Sequence, residues 1–124
     1  MAAGGRMVVT RTALTAAEQR ALQEFVEYLQ LHFATQVKQI SLFGSKARGD
    51  SGQNSDIDVL IIQAREDRPL RRKILKQAAR LSLKYDVLLS PRVIGMERWE
   101  QMHGFSLYQN IQREASDLPV IKST

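Results

Sequence analysis

The sequence predicts an α/β (α+β) domain, a small mixed β-sheet flanked by helices. Three observations predict it. A capped stretch with helical spacing comes first. Two strand-like runs follow, separated by a glycine-serine turn and a polar loop. The second run contains Val59-Leu60-Ile61-Ile62, apolar on both faces, as a central strand must be. A chain of 124 residues suits one small domain with a single core, so residues 1–124 are read as one domain, loose over 1–13.

Thr15-Ala16-Ala17-Glu18 reads as a capping box, in which the threonine hydroxyl takes the Glu18 amide and the Glu18 side chain reaches back. Leu22, Phe25, Val26, Leu29 and Phe33 follow at helical spacing, which predicts a helix over about 16–34. Residues 38–43 alternate weakly and stop at Gly44, a first strand. Lys46 to Asp50 is long enough only for a helical turn. Ser51-Gly52-Gln53-Asn54 is a loop by composition. Asp56 to Gln63 is the central strand.

Asp67-Arg68-Pro69 opens the next helix, with proline tolerated in the first turn. Leu70, Ile74, Leu75, Ala78 and Leu81 form its apolar stripe. Tyr85-Asp86-Val87-Leu88-Leu89 is expected to be a third strand, stopped by Pro91. Met96 to His103 and Phe105 to Ala115 are expected to be short helices.

Composition excludes several classes of protein. There is no cysteine, hence no disulfide framework and no thiolate metal site. No apolar run approaches the roughly 20 residues of a membrane-spanning helix, and the first residues lack a signal peptide's apolar core. A cytoplasmic location is the expectation. Net charge is +5, but it is concentrated. The window Arg65 to Lys84 carries +6, and the remainder of the chain −1. That segment is either a solvated helix face or a surface for an acidic partner or nucleotide phosphates. No aromatic row alternates with the basic residues, which argues against direct nucleic-acid binding. Neither His32 nor His103 has a partner at metal-ligand spacing. Trp99, Phe105 and Tyr108 fit a core or interface patch better than a base-stacking platform.

The chemistry concentrates between Gly44 and Asp58. On a strand, Asp56 and Asp58 point the same way, with Ile57 turned into the core between them. Two such carboxylates repel unless a cation neutralises them, and oxygen-only ligands suit magnesium, whose shell is completed by waters and substrate phosphates. Asp-x-Asp pairs at strand starts are also common as plain solvated acids. Gly44 lets backbone approach an anion with no side chain in the way. Ser45 adds a hydroxyl donor, and the amides opening the next turn point at the same spot. Alone, these two residues would read as a strand-ending glycine and a capping serine. Together with the acids they read as a phosphate cradle beside a metal site. Asp86, within an apolar run, is either an acid pairing with Lys84 or Arg92, or a third metal ligand and proton acceptor.

Gly44-Ser45-Lys46-Ala47-Arg48-Gly49, the loop, and Ser55-Asp56-Ile57-Asp58-Val59-Leu60-Ile61 resemble the signature of the DNA polymerase beta-like nucleotidyltransferase superfamily. The short chain and preceding helix resemble its minimal nucleotidyltransferase (MNT) branch. The likeness is strongest from Ile40 to Ile62, and weaker at Tyr85-Asp86-Val87 and over Leu107 to Glu114. The resemblance implies that Gly44 and Ser45 hold the triphosphate, that Asp56 and Asp58 bind two magnesium ions, and that Asp86 completes the metal site and acts as base. Arg48 takes a supporting role on nucleotide or loop. In this branch the protein is often the antitoxin of a HEPN-domain ribonuclease toxin. The implied reaction moves AMP from ATP onto a tyrosine hydroxyl of that toxin. The chain departs from the pattern at Glu114-Ala115, where relatives tend to carry glutamate-glycine.

Two other readings stand beside this one. A non-catalytic antitoxin would block its partner by contact through the basic face. Nucleotidyl transfer to a small molecule such as an aminoglycoside would call for a further helical domain for the acceptor.

Overall fold

A computed structural model describes residues 14–44, 46, 56–102, 109 and 116–117. Helix α1 spans Ala16–Phe33. Its start is fixed by the capping box: Glu18 N–H donates to Thr15 Oγ1 at 3.1 Å, and Thr15 N–H donates to Glu18 Oε1 at 2.9 Å. These bonds satisfy amides that the first helical turn leaves without carbonyl partners. Strand β1 is Val37–Phe43 and β2 is Ile57–Gln63. They run antiparallel, with Phe43 opposite Asp58 and Leu42 opposite Val59. The register slips between Val37 and Gln39. This bulge explains how Val37 and Ile40, three positions apart, both bury against the helices.

Helix α2, Arg68–Tyr85, starts at Asp67, whose carboxylate accepts from Leu70 N–H at 3.0 Å. Strand β3, Leu89–Gly95, lies parallel to β2, as a crossover through a helix requires. Helix α3 is Met96–Glu100, and a two-residue strand β4, Ser116–Asp117, pairs with β1. The sheet order is β3-β2-β1-β4. This is the mixed sheet with flanking helices that the sequence predicts.

Strand alternation divides the core in two. Ile40, Leu42, Ile57, Val59 and Ile61 face α1 and α2, and form the larger cluster with Phe25, Leu29, Ile74 and Ala78. Phe43, Leu60 and Ile62 face the other way and pack with Trp99 of α3. The basic residues of α2, among them Arg72, Lys73 and Lys76, are exposed. No helix of the described residues is long and apolar enough to cross a membrane.

The third strand is not where the sequence put it. Residues 85–89 were expected to be extended; instead α2 continues through Tyr85 and the strand occupies Leu89–Gly95. The helical stripe Ile74, Ala78, Leu81 extends by one more turn to Tyr85, which packs on the larger cluster. Its hydroxyl donates to Glu24 Oε1 of α1. Pro91 does not stop the strand, because β3 is an edge strand and tolerates a missing N–H. Of the expected helix over 96–103, Met96–Glu100 is helical and 101–102 form a turn. The other expected helix, 105–115, lies outside the described residues except at 109, and the loose segment 1–13 lies wholly outside them. Strand β4 had no signal in the sequence.

Tyr85, Lys84 and Glu24 tie α2 to α1. The Glu24 carboxyl is held below its ordinary value of 4.5, first by the Tyr85 hydroxyl and then by Lys84. A depressed carboxylate contributes stability above its unfolded pKa and loses it as pH falls through the folded one. Wild type should therefore lose stability faster on acidification below pH 4.5 than Glu24→Gln does. Tyr85→Phe should cost about 1 kcal/mol in urea unfolding at neutral pH. Parallel acid curves for wild type and Glu24→Gln would contradict the tie.

Candidate active site

One end of the sheet collects the start of α1, the end of β1, the start of β2 and the end of α2. This follows from the antiparallel β1–β2 pair and the parallel β2–β3 pair. Phe43 is the last residue of β1 and sits opposite Asp58, so Gly44 leaves the strand alongside the Asp58 side chain. Gly44 adopts φ +77°, a conformation that favours glycine. A Cβ at this position would overlap the Asp58 carboxylate. Two demands therefore meet at one residue: a left-handed turn and an empty space for a carboxylate oxygen.

Asp58 is half-buried, on the sheet face of Leu60 and Ile62. Asp56, exposed just ahead of β2, shares that side by strand alternation. The Asp58 carboxyl is pushed above its ordinary value, first by burial and then by the neighbouring charge of Asp56; Arg92 opposes the shift. Such a pair gains from a cation. Its donors are all oxygen, and part of the shell is left to other oxygens. That fits magnesium, which takes one or two carboxylates and completes its shell with waters and phosphates. Among the described residues no three or more of His, Cys, Asp and Glu cluster closely enough to hold a metal, so Asp86 does not join Asp56 and Asp58 in holding one.

Asp86 is placed differently from the expectation. It is the C-cap of α2 at φ 54°, ψ 50°, with its N–H donating to the Ser82 carbonyl, and it is exposed. The burial argument for pairing it with a metal therefore falls away. The position on β3 directly across from Asp58 is Ser90. Asp86 remains at the same end of the sheet: two residues on, the Leu88 carbonyl accepts from Ile57 N–H at 2.9 Å. Ser45 and Arg48 lie outside the described residues, as does most of the expected turn over 46–50.

Lys46 had no assigned role in the sequence, and the structure gives it one. Its side chain is fully buried, and its Nζ meets Glu18 Oε2 at 2.9 Å and Oε1 at 3.1 Å. Glu18 thus serves the capping box of α1 and an ion pair with the turn after Gly44. Breaking a buried pair by removing one partner typically costs about 3–5 kcal/mol, because a charge is left behind without compensation. Sequence reading missed the pair for a simple reason. The capping box already explained Glu18, and nothing local links positions 28 residues apart.

The site as built is a glycine turn closed onto one of two carboxylates, on adjacent antiparallel strands. An acid pair with an oxygen-only donor set beside a glycine turn is the kind of arrangement that phosphoryl- and nucleotidyl-handling proteins use. The family model described as "Nucleotidyltransferase domain" matches residues 21–115, and the chain belongs to that family. Two relatives come from Methanocaldococcus jannaschii. "Putative protein adenylyltransferase MJ0604" is 33% identical over 97 residues, covering 78% of this chain and 93% of its own. "Putative protein adenylyltransferase MJ0141" is 43% identical over 72 residues, 56% of this chain and 72% of its own.

Solved structures share the fold. One described as "Structure of putative minimal nucleotidyltransferase" superposes with TM-score 0.54 at 23% identity, covering 79% of this chain and 90% of that one. Another, "Crystal structure of the toxin-antitoxin with AMP-PNP", gives 0.52 at 21%, covering 76% and 69%. The protein is a nucleotidyltransferase, as the resemblance implied.

The close approach at Gly44 makes a direct prediction. Gly44→Ala should destabilise the protein by about 1–3 kcal/mol, from positive φ and displacement of the Asp58 carboxylate together. Thermal or urea unfolding measures this. Asp58→Ala, by emptying the space, should recover part of the loss in the double variant; strict additivity would contradict the contact.

Proposed function

We propose that this nucleotidyltransferase is a protein adenylyltransferase, the antitoxin partner of a HEPN-domain toxin. In this reading it transfers AMP from ATP to a tyrosine hydroxyl of that toxin and silences it. The observation that carries the proposal is the Gly44 turn against Asp58, with Asp56 beside it. The relatives named as protein adenylyltransferases support the choice of AMP and of a protein acceptor. The toxin–antitoxin structures of like fold, one with an ATP analogue, support the choice of partner.

The reaction is a displacement at the α-phosphorus of ATP. The acceptor oxygen bonds to that phosphorus, the bond to the bridging oxygen breaks, and pyrophosphate leaves. Gly44, Ser45 and the amides after them hold the triphosphate, with Arg48 supporting nucleotide or loop. Asp56 and Asp58 hold the metal side of the nucleotide. Asp86, at the same end of the sheet, takes the proton released by the acceptor hydroxyl. Magnesium, when bound to these acids, neutralises charge on the phosphates and orients the attacking and leaving oxygens.

The test is incubation with α-labelled ATP, magnesium and the partner. Label should move to the partner with wild type and fail to move with Asp56→Asn. Asp86→Asn should lower turnover by about 100- to 10,000-fold with ATP affinity little changed, as loss of a general base does. If wild type moves no label, or Asp56→Asn moves it as well as wild type, the proposal fails. Undiminished turnover in Asp86→Asn would remove Asp86 from the chemistry.

A further inference from the structure

A groove of about 380 Å³ runs along the outer side of β3, between α2 and α3. Arg71 of α2, Arg92 of β3 and Arg98 of α3 surround it, and among the described residues no carboxylate lines it. All three arginines are exposed. Its apolar lining includes Leu75, which is 40% exposed, and Met102. The groove also includes Ser90, the residue directly across from Asp58, so it begins beside the candidate active site.

The edge of β3 is poorly suited to pairing with another strand. Ile57 N–H bonds to the Leu88 carbonyl, so residues of Leu88's parity turn their backbone toward β2, and 89, 91, 93 and 95 turn theirs outward. At three of those four positions no outward amide is on offer. Leu89 N–H donates to Ser82 Oγ at 3.0 Å, Gly95 N–H reaches Glu66 Oε2 at 3.4 Å, and Pro91 has no N–H. These are devices that blunt an edge strand against pairing. With so few edge amides on offer, side chains carry most of the recognition at the groove.

We propose that the groove binds an acidic peptide segment of the protein acceptor, next to the hydroxyl that is modified. Three guanidiniums suit carboxylates in bidentate pairs, and the leucine and methionine suit aliphatic peptide side chains. A nucleic-acid strand fits less well: among the described residues that line the groove there is no aromatic to stack a base. The inference rests on the acceptor being a protein. It adds that acceptor choice is set by charge, in a groove that begins beside Asp58.

The test uses the full chain and three fluorescent peptides, each a tyrosine followed by glutamates, glutamines or lysines. Anisotropy is measured without nucleotide. The glutamate peptide should bind most tightly, and its affinity should fall as salt rises. Arg71→Gln/Arg98→Gln, on opposite walls of the groove, should weaken it about tenfold, while lysine at both positions should restore part of the loss. Equal binding of the three peptides, no effect of the double variant, or a single-stranded oligonucleotide that displaces the glutamate peptide and binds tighter, would overturn the proposal. ATP affinity is measured alongside. Peptide binding in the groove without AMP transfer to any protein would support the groove and reject the adenylyltransferase reading. AMP transfer with no preference among the peptides would do the reverse.

Discussion

The space between Gly44 and the Asp58 carboxylate is the constraint around which the active end of this protein is built. Antiparallel pairing sets Phe43 against Asp58. The chain must then turn away at once, at φ +77°, without a Cβ. The same residue that makes the turn possible leaves the carboxylate its place. A half-buried acid beside a second acid is unfavourable for stability, and its raised pKa reports that cost. Sites of this kind hold strain or charge that a ligand relieves, and so trade stability for binding.

The buried Lys46–Glu18 pair secures the turn from the other side. It joins the first residue described after the turn to the first turn of α1. Its net contribution to stability is small in general terms, because two charges must be desolvated to make it. Its consequence is positional. With Glu18 also bound to Thr15, the helix start, the glycine turn and the acid-bearing strand are fixed to one another. The Glu24, Lys84 and Tyr85 contact repeats the arrangement at the end of α2, and so sets where Asp86 emerges.

Much of this was legible in the sequence, and the failures have physical causes. The capping box, the apolar stripe of α1, the stripe of α2 apart from the exposed Leu75, and the strand through Val59-Leu60-Ile61-Ile62 are local patterns, and they folded as read. The Gly44 turn beside Asp58 was legible because glycine and acid each have few reasons to stand where they do. The segment Tyr85 to Leu89 was misread because so short a run, four apolar residues around Asp86, fits a strand or the end of a helix equally well. Long-range packing of Tyr85 on α1 decided it. Pro91 misled because a proline stops a central strand and not an edge strand, and edge position is a property of the whole sheet. Lys46 and Ser90 were invisible for the same reason: each has its role only through a residue distant in sequence.

The most direct measurement of the central claim is calorimetric titration of AMP-PNP into wild type and Asp58→Asn, with magnesium and with chelator. If the carboxylate packed on Gly44 carries the metal side of the nucleotide site, wild type will bind at least tenfold tighter with magnesium than without, and Asp58→Asn will lose most of that difference. Equal magnesium dependence in the two proteins would contradict the account.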